Sequence, residues 1–144
     1  MAERLEDRVR LIVPFEPDSN LVCLALNPVG SRDLAAMNRF GRAVFSRMKV
    51  DPAQPVQMKT FIGSYTSLQH GNLPGGQADR ILTDLGIDPS TFVAIPTGEG
   101  QADHIFILRH TLMNPWLLDG PDGRSYIDLY WEYLERVIDE VLGE

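Results

Sequence analysis

An α+β domain, with a mostly antiparallel sheet and helices packed on one face, is the fold class this 144-residue sequence predicts. Three observations carry it. Two segments, one after Ser31 and one after Ser125, repeat apolar residues at helical spacing. Several apolar runs of strand length lie before and between them. Hairpins and single helices, rather than a regular βαβ series, separate those runs.

The first strand candidate is "VRLIVPF" (9 to 15), which Pro14 confines to a sheet edge or a strand end. "EPDSN" (16 to 20) is a turn by its Pro, Asp, Ser and Asn. "LVCLALNP" (21 to 28) is a short, nearly continuous apolar run, as a buried strand requires, and Asn27-Pro28 ends it. Ser31 then has the character of an N-cap, with Asp33 in the first turn favoured by the helix dipole. Leu34, Met37, Phe40, Val44, Phe45 and Met48 form the apolar stripe of an amphipathic helix reaching about Lys49. Gly41 within it costs some helix propensity or lets a neighbour approach closely. Two prolines in "VDPAQPVQ" (50 to 57) stop the helix.

"MKTFIGSYTSLQ" (58 to 69) alternates loosely and reads as a strand, and "HGNLPGG" (70 to 76) as a loop. A short helix is expected from about Gln77 to Leu85, with Ile81, Leu82 and Leu85 inward and Gly86 just past its end. "TFVAIPTGEGQADHIFILRHTL" (91 to 112) reads as a β-hairpin whose tip, "TGEGQ", is rich in turn residues. "NPWLLDGPDGRS" (114 to 125) is a connection. Ser125 and Asp128 make an S-x-x-D capping pattern. Ile127, Tyr130, Trp131, Leu134, Val137, Ile138 and Val141 then mark one face of the terminal helix, and Asp128, Glu132, Glu135, Arg136 and Asp139 the other.

The length suits one ordinary domain, 1–144, with a sizeable core. With 44% hydrophobic and 23% charged residues, the chain falls among soluble globular proteins rather than disordered ones. No apolar run approaches the roughly 18 residues of a membrane span. "MAERLEDRVR" is too charged for a secretion signal, so a cytoplasmic location is expected. The single cysteine, Cys23, excludes an internal disulfide and fits a reducing compartment. Within "LVCLAL" it reads as a small core residue. The net charge of −7 argues against nucleic acid and anionic membranes as partners. Eight of the thirteen Lys and Arg residues fall in the first fifty positions, and eight of the twenty acidic residues from Asp119 onward. Either two solvated faces of opposite sign, the reading favoured here, or a surface that meets another domain or subunit accounts for that asymmetry.

The familiar catalytic motifs are missing: there is no Walker phosphate loop, GxGxxG, HExxH or GxSxG. "NLPGG" is a plain loop without the flanking strand and the lysine of a phosphate site. His104 and His110 share one predicted strand but stand about 20 Å apart at the rise of a strand, too far to hold one ion. No metal site is therefore expected. A hydrolase would rest on nothing more than the presence of Ser, His and Asp.

The sharpest question lies in "HIFILRHTLMNPW" (104 to 116). Alternation places Ile105, Ile107, Arg109 and Thr111 on one face and His104, Phe106, Leu108, His110 and Leu112 on the other. Both faces are apolar, so the strand is expected to be covered on both sides. Arg109 then needs either a carboxylate of this chain or a ligand's carboxylate held in bidentate fashion.

"NLVCLALNP", a helix of some eighteen residues, a strand ending "FILRHTLMNP" and a terminal "LYWEYLERVIDEVL" together resemble the C-terminal small domain of pyridoxal-phosphate-dependent group II amino-acid decarboxylases. That family includes the glutamate, tyrosine and aromatic amino-acid decarboxylases of the aspartate-aminotransferase fold. The resemblance runs from about Leu11 to the end, and the order and spacing of the segments carry it. It implies the small domain of a fold-type I pyridoxal phosphate enzyme, a dimer, and a large cofactor-binding domain as partner. It also implies that Arg109, in "LRHT", binds the substrate's carboxylate.

The departure is large. The family's cofactor lysine belongs to the large domain, usually after a histidine, whereas Lys49 and Lys59 here each follow methionine. Without a Schiff-base lysine this chain cannot anchor the cofactor in the family's way. The resemblance therefore implies pyridoxal phosphate in a parent enzyme, none bound to this chain, and no catalytic residue here. The alternative is a free-standing α+β binding or oligomerisation module in which Arg109 forms an internal ion pair.

Overall fold

The computed structural model describes residues 5–17, 20–55, 60–112 and 116–144. A four-residue helix, α1 (Leu5–Arg8), leads into β1 (Val9–Ile12) and β2 (Leu21–Pro28). The long α2 (Leu34–Met48) follows, then β3 (Ser64–Gln69), α3 (Gln77–Asp84), β4 (His104–Thr111) and the terminal α4 (Tyr126–Leu142). The four strands form an antiparallel sheet in the order β1-β2-β4-β3. This is the predicted α+β class. β1 is an edge strand, where a proline close behind it does no harm to the ladder.

The strand β2 serves two partners in turn. Leu21 to Leu24 pair with Thr111 to Leu108 of β4, and Ala25 to Pro28 pair with Ile12 to Val9 of β1. Beyond Leu24, β2 and β4 part, and the β4 backbone needs other partners on that side. α2 supplies them. The buried Asn38 accepts from the Phe106 N–H at 2.9 Å and donates to the His104 carbonyl at 2.8 Å. One carboxamide so replaces a missing strand partner. Gly41, one turn on, explains the approach: a Cβ there would lie 2.8 Å from the Phe106 ring. The glycine is the point where helix and strand touch.

Alternation along β4 divides the core. Phe106 and Leu108 pack with Phe40, Val44 and Met48 of α2 and with Tyr133, Leu134, Val137 and Ile138 of α4. Ile105 and Ile107 pack with Ile81, Leu82 and Leu85 of α3 and with Leu34 and Met37 at the start of α2. α2 and α4 therefore cover one face, as predicted, and the short α3 closes one end of the other. Asn27, buried in β2, pins that end by donating to the carbonyls of Leu85 and Ser31, each at 2.9 Å.

Local chemistry sets the helix ends. Ser125 caps α4 and its hydroxyl accepts from the Asp128 N–H, as the S-x-x-D pattern predicts. Gly86 follows α3 with φ of 75°, the conformation its place in the sequence suggested. At α2 the cap is Asp33 rather than Ser31: its carboxylate accepts from the Ala36 N–H at 2.7 Å. Asp33 stands one position before the first helical residue, and Ser31 stands too far back to reach.

Two strand predictions shrink. The strand read over 58 to 69 is ordered as β only from Ser64; Met58 and Lys59 lie outside the described residues. The hairpin read over 91 to 112 keeps only its second arm, β4. Residues 89 to 91 form a 3-10 turn, and Phe92 meets Ala102 in an isolated parallel bridge. The Gln101 side chain explains the rest, because its carbonyl oxygen accepts from the N–H groups of both Thr97 and Gly98. Those donors are lost to a hairpin ladder, and Pro96 has none to offer. The antiparallel partner of β4 on that side is β3.

Candidate functional site: Arg109 and the cavity beside it

Arg109 is exposed, which corrects the expectation of a strand covered on both sides along its whole length. The cover that α3 gives to Ile105 and Ile107 does not extend to the next position on that face. Across the sheet, Arg109 stands between Cys23 of β2 and Ser64 of β3. Its Nε donates to the Ser64 hydroxyl oxygen at 3.3 Å, and that hydroxyl donates to the Arg109 carbonyl at 2.9 Å. No carboxylate of the described residues pairs with Arg109. The internal ion pair is therefore absent among them. What remains is a guanidinium steadied at Nε, with its two terminal nitrogens available for a planar anion.

Cys23 is half-buried beside it. Burial pushes its thiol above the ordinary value, against a smaller opposite pull from Arg109. A thiol held in its protonated form is a poor nucleophile, consistent with a packing role.

The next residue faces the other way. His110 lines a cavity of about 460 Å3 between the end of the sheet and the first turns of α4. Val22, Leu24, Phe61, Ile62, Leu112, Leu117 and Ile127 supply apolar walls, and Tyr126, Tyr130 and Trp131 add aromatic ones. The Tyr130 hydroxyl and His110 Nε2 share a hydrogen bond. Burial dominates both groups. It pushes the imidazole below its usual range, against a smaller pull from the Val22 backbone, and pushes the phenol well above its usual range. Both groups are thus held in their neutral forms, and the tautomer of the imidazole sets which of them donates.

The other histidine of β4 lies elsewhere. His104 accepts from Arg42 at Nε2, at 2.8 Å, because a guanidinium can only donate. Its Nδ1–H donates to Asp103 at 2.7 Å, and that bond is the main reason the Asp103 carboxyl sits below its usual range. Both ring nitrogens of His104 are spoken for, at the opposite end of β4 from His110. Among the described residues no three potential ligands gather for a metal ion.

The sequence pointed to Arg109 and missed the cavity. Tyr130 and Trp131 were read only as the apolar stripe of a helix, and Phe61 as part of a strand. The available signal was His110, an imidazole on the same face as Phe106 and Leu108, which requires a polar partner if buried. For pyridoxal phosphate the described residues do not fit. Lys49, the one described lysine, is exposed at the C-terminal end of α2 and is not among the cavity's lining residues, and Lys59 lies outside the described residues.

No described helix is long and apolar enough to cross a membrane. Several of the exposed large apolar side chains lie at the cavity mouth. Ile62, Leu112, Tyr126 and Trp131 belong to its lining, and Trp116 and Leu118, which flank Leu117 in sequence, are 66% and 72% exposed. No curated protein matches the chain. A family model described as tyrosine decarboxylase, C-terminal, matches residues 5–142, nearly the whole length. This four-stranded domain, with its open arginine and bare apolar rim, therefore belongs to the family of tyrosine decarboxylase C-terminal domains.

Proposed function

We propose that this chain acts as the C-terminal domain of a pyridoxal-phosphate-dependent amino-acid decarboxylase, working with a large cofactor-binding domain in a cytoplasmic homodimer. Arg109 binds the substrate's carboxylate there, and the apolar rim round the cavity mouth meets the large domain. The observation that carries this reading is the guanidinium of Arg109, steadied by Ser64 and unmatched by any carboxylate of the described residues. The family membership supplies the partner domain it implies. An exposed rim of large apolar side chains is what a surface buried by a partner looks like when the partner is taken away.

The cofactor supplies the electron sink for loss of carbon dioxide, and it belongs to the large domain. This chain's own contribution is to bind and orient. Arg109 offers two parallel N–H donors to one carboxylate, and so fixes its plane as well as its position. The isolated chain is expected to release no carbon dioxide from any amino acid. The test is complementation: a tyrosine decarboxylase catalytic domain lacking its own C-terminal domain, assayed with and without this chain. Activity should return on addition. Arg109→Gln should lower kcat/KM about 10- to 100-fold, the worth of one charge-assisted pair. Full activity with Arg109→Gln would remove the arginine from this role, and failure of any pairing to restore activity would count against the domain assignment itself.

A further inference from the structure

The reading above rests on Arg109 and leaves the cavity without a ligand of its own. At about 460 Å3, the cavity falls within the range of small-molecule sites, about 300–1,000 Å3. Its walls hold four aromatic rings, Phe61, Tyr126, Tyr130 and Trp131. Phe61 meets Tyr130 edge to face at 5.4 Å, and Tyr130 meets Trp131 tilted at 5.8 Å. Such walls favour another ring by edge and face contacts beyond simple burial.

Charge is nearly absent. The described lining includes no Asp, Glu or Lys. Arg109 borders the cavity, but alternation sends its side chain to the opposite face of β4, where Ser64 holds Nε. The polar feature on the cavity side is the Tyr130–His110 hydrogen bond. Whichever of the two groups donates, the Tyr130 oxygen keeps a lone pair for a donor on the ligand.

We infer that this cavity binds an uncharged aromatic molecule of one or two rings that carries one N–H or O–H donor, held by ring contacts and by the Tyr130 oxygen. Among the described lining residues Arg109 is the one arginine or lysine, its Nε held by Ser64 on the opposite face of the strand, and an ammonium would find no carboxylate. Because residues 109 and 110 face opposite ways, this is a second site, separate from the arginine fork.

Indole is a suitable probe. Titrated into the 144-residue chain and followed by amide proton–nitrogen spectra, it should give saturable shifts at Gly63, His110, Ile127 and Tyr130. Benzoate and phenethylamine should bind at least about tenfold more weakly, since each would bury an unpaired charge. Tyr130→Phe should weaken indole several-fold and leave toluene unchanged. Leu112→Trp, at the half-exposed rim, should fill the cavity and abolish binding; Ile127→Trp serves where that variant loses the folded spectrum. Arg109→Gln should bind indole as the parent does. The inference fails if millimolar indole leaves those four amides unmoved in a folded sample. It also fails if benzoate binds as tightly as indole, or if Arg109→Gln removes binding. None of these results depends on decarboxylation, so the site stands or falls apart from the role given to Arg109.

Discussion

Positions 109 and 110 are neighbours in the chain and lie in different surroundings, because a strand sends successive side chains to opposite faces. Arg109 meets solvent and Ser64, and His110 meets aromatic rings. The two should therefore respond differently to change. Arg109→Ala removes no ion pair with a described residue and opens no cavity, so urea unfolding should shift by less than about 0.5 kcal/mol. A loss of several kcal/mol would mean that the guanidinium has a structural partner. His110 is tied to pH. Its folded value is lowered from 6.5, chiefly by burial, so the unfolded chain takes up a proton more readily than the folded one. The stability it contributes is present above the unfolded value and is lost as pH falls through the folded one. The urea midpoint should fall between pH 7.5 and pH 5.5. His110→Gln should flatten most of that slope.

At the scale of elements, the two long helices were legible because each signal is local and strong. The stripe from Leu34 to Met48 and the stripe from Ile127 to Val141 each repeat at helical spacing, and Ser125 announces its helix by a pattern of four residues. The run of β2 was equally clear, since all eight residues from Leu21 to Pro28 form the strand. The failures share one cause. Which backbone donors a segment spends on a side chain far along or just ahead of it is not written in periodicity. Gln101 takes two donors from the expected hairpin tip, and Asn38 takes over where β2 leaves β4. Asn38 sat unremarked within a helical stripe, since asparagine is common on helix surfaces. Its substitution is the sharpest test of the sheet's construction. Asn38→Ala leaves a buried Phe106 N–H and the His104 carbonyl without partners, at about 2–4 kcal/mol in urea unfolding. Asn38→Asp restores the acceptor alone and should recover little of that loss. A change below about 1 kcal/mol would mean that water replaces the carboxamide. Gly41→Ala, by contrast, should be destabilising in spite of better helix propensity, because overpacking against the Phe106 ring outweighs a gain of about 1 kcal/mol.

For the whole molecule, the decisive feature is how unevenly its apolar surface is spread. The buried core lies between the sheet and α2, α3 and α4, while four of the large apolar side chains left bare, Ile62, Leu112, Tyr126 and Trp131, line one cavity where β4 and α4 meet. The sequence located that end through Arg109 but gave no hint of the rim, since periodicity separates inward from outward residues only within an element. Leu118 and Ile62 belong to no helix or strand and could not be sorted that way. If the rim seats a partner domain, replacing these two exposed residues should harm association and spare folding. Ile62→Lys with Leu118→Lys removes apolar area that water already touches, so the urea midpoint should move by less than about 1 kcal/mol. In complementation of a catalytic domain, the same pair should raise the concentration of this chain needed for half-maximal activity at least about tenfold, because each lysine would be buried against apolar surface. By sedimentation velocity the variant should also self-associate less than the parent. Unchanged complementation together with unchanged sedimentation would mean that the partner meets a different face, leaving the edges β1 and β3 as the remaining open surfaces of the sheet.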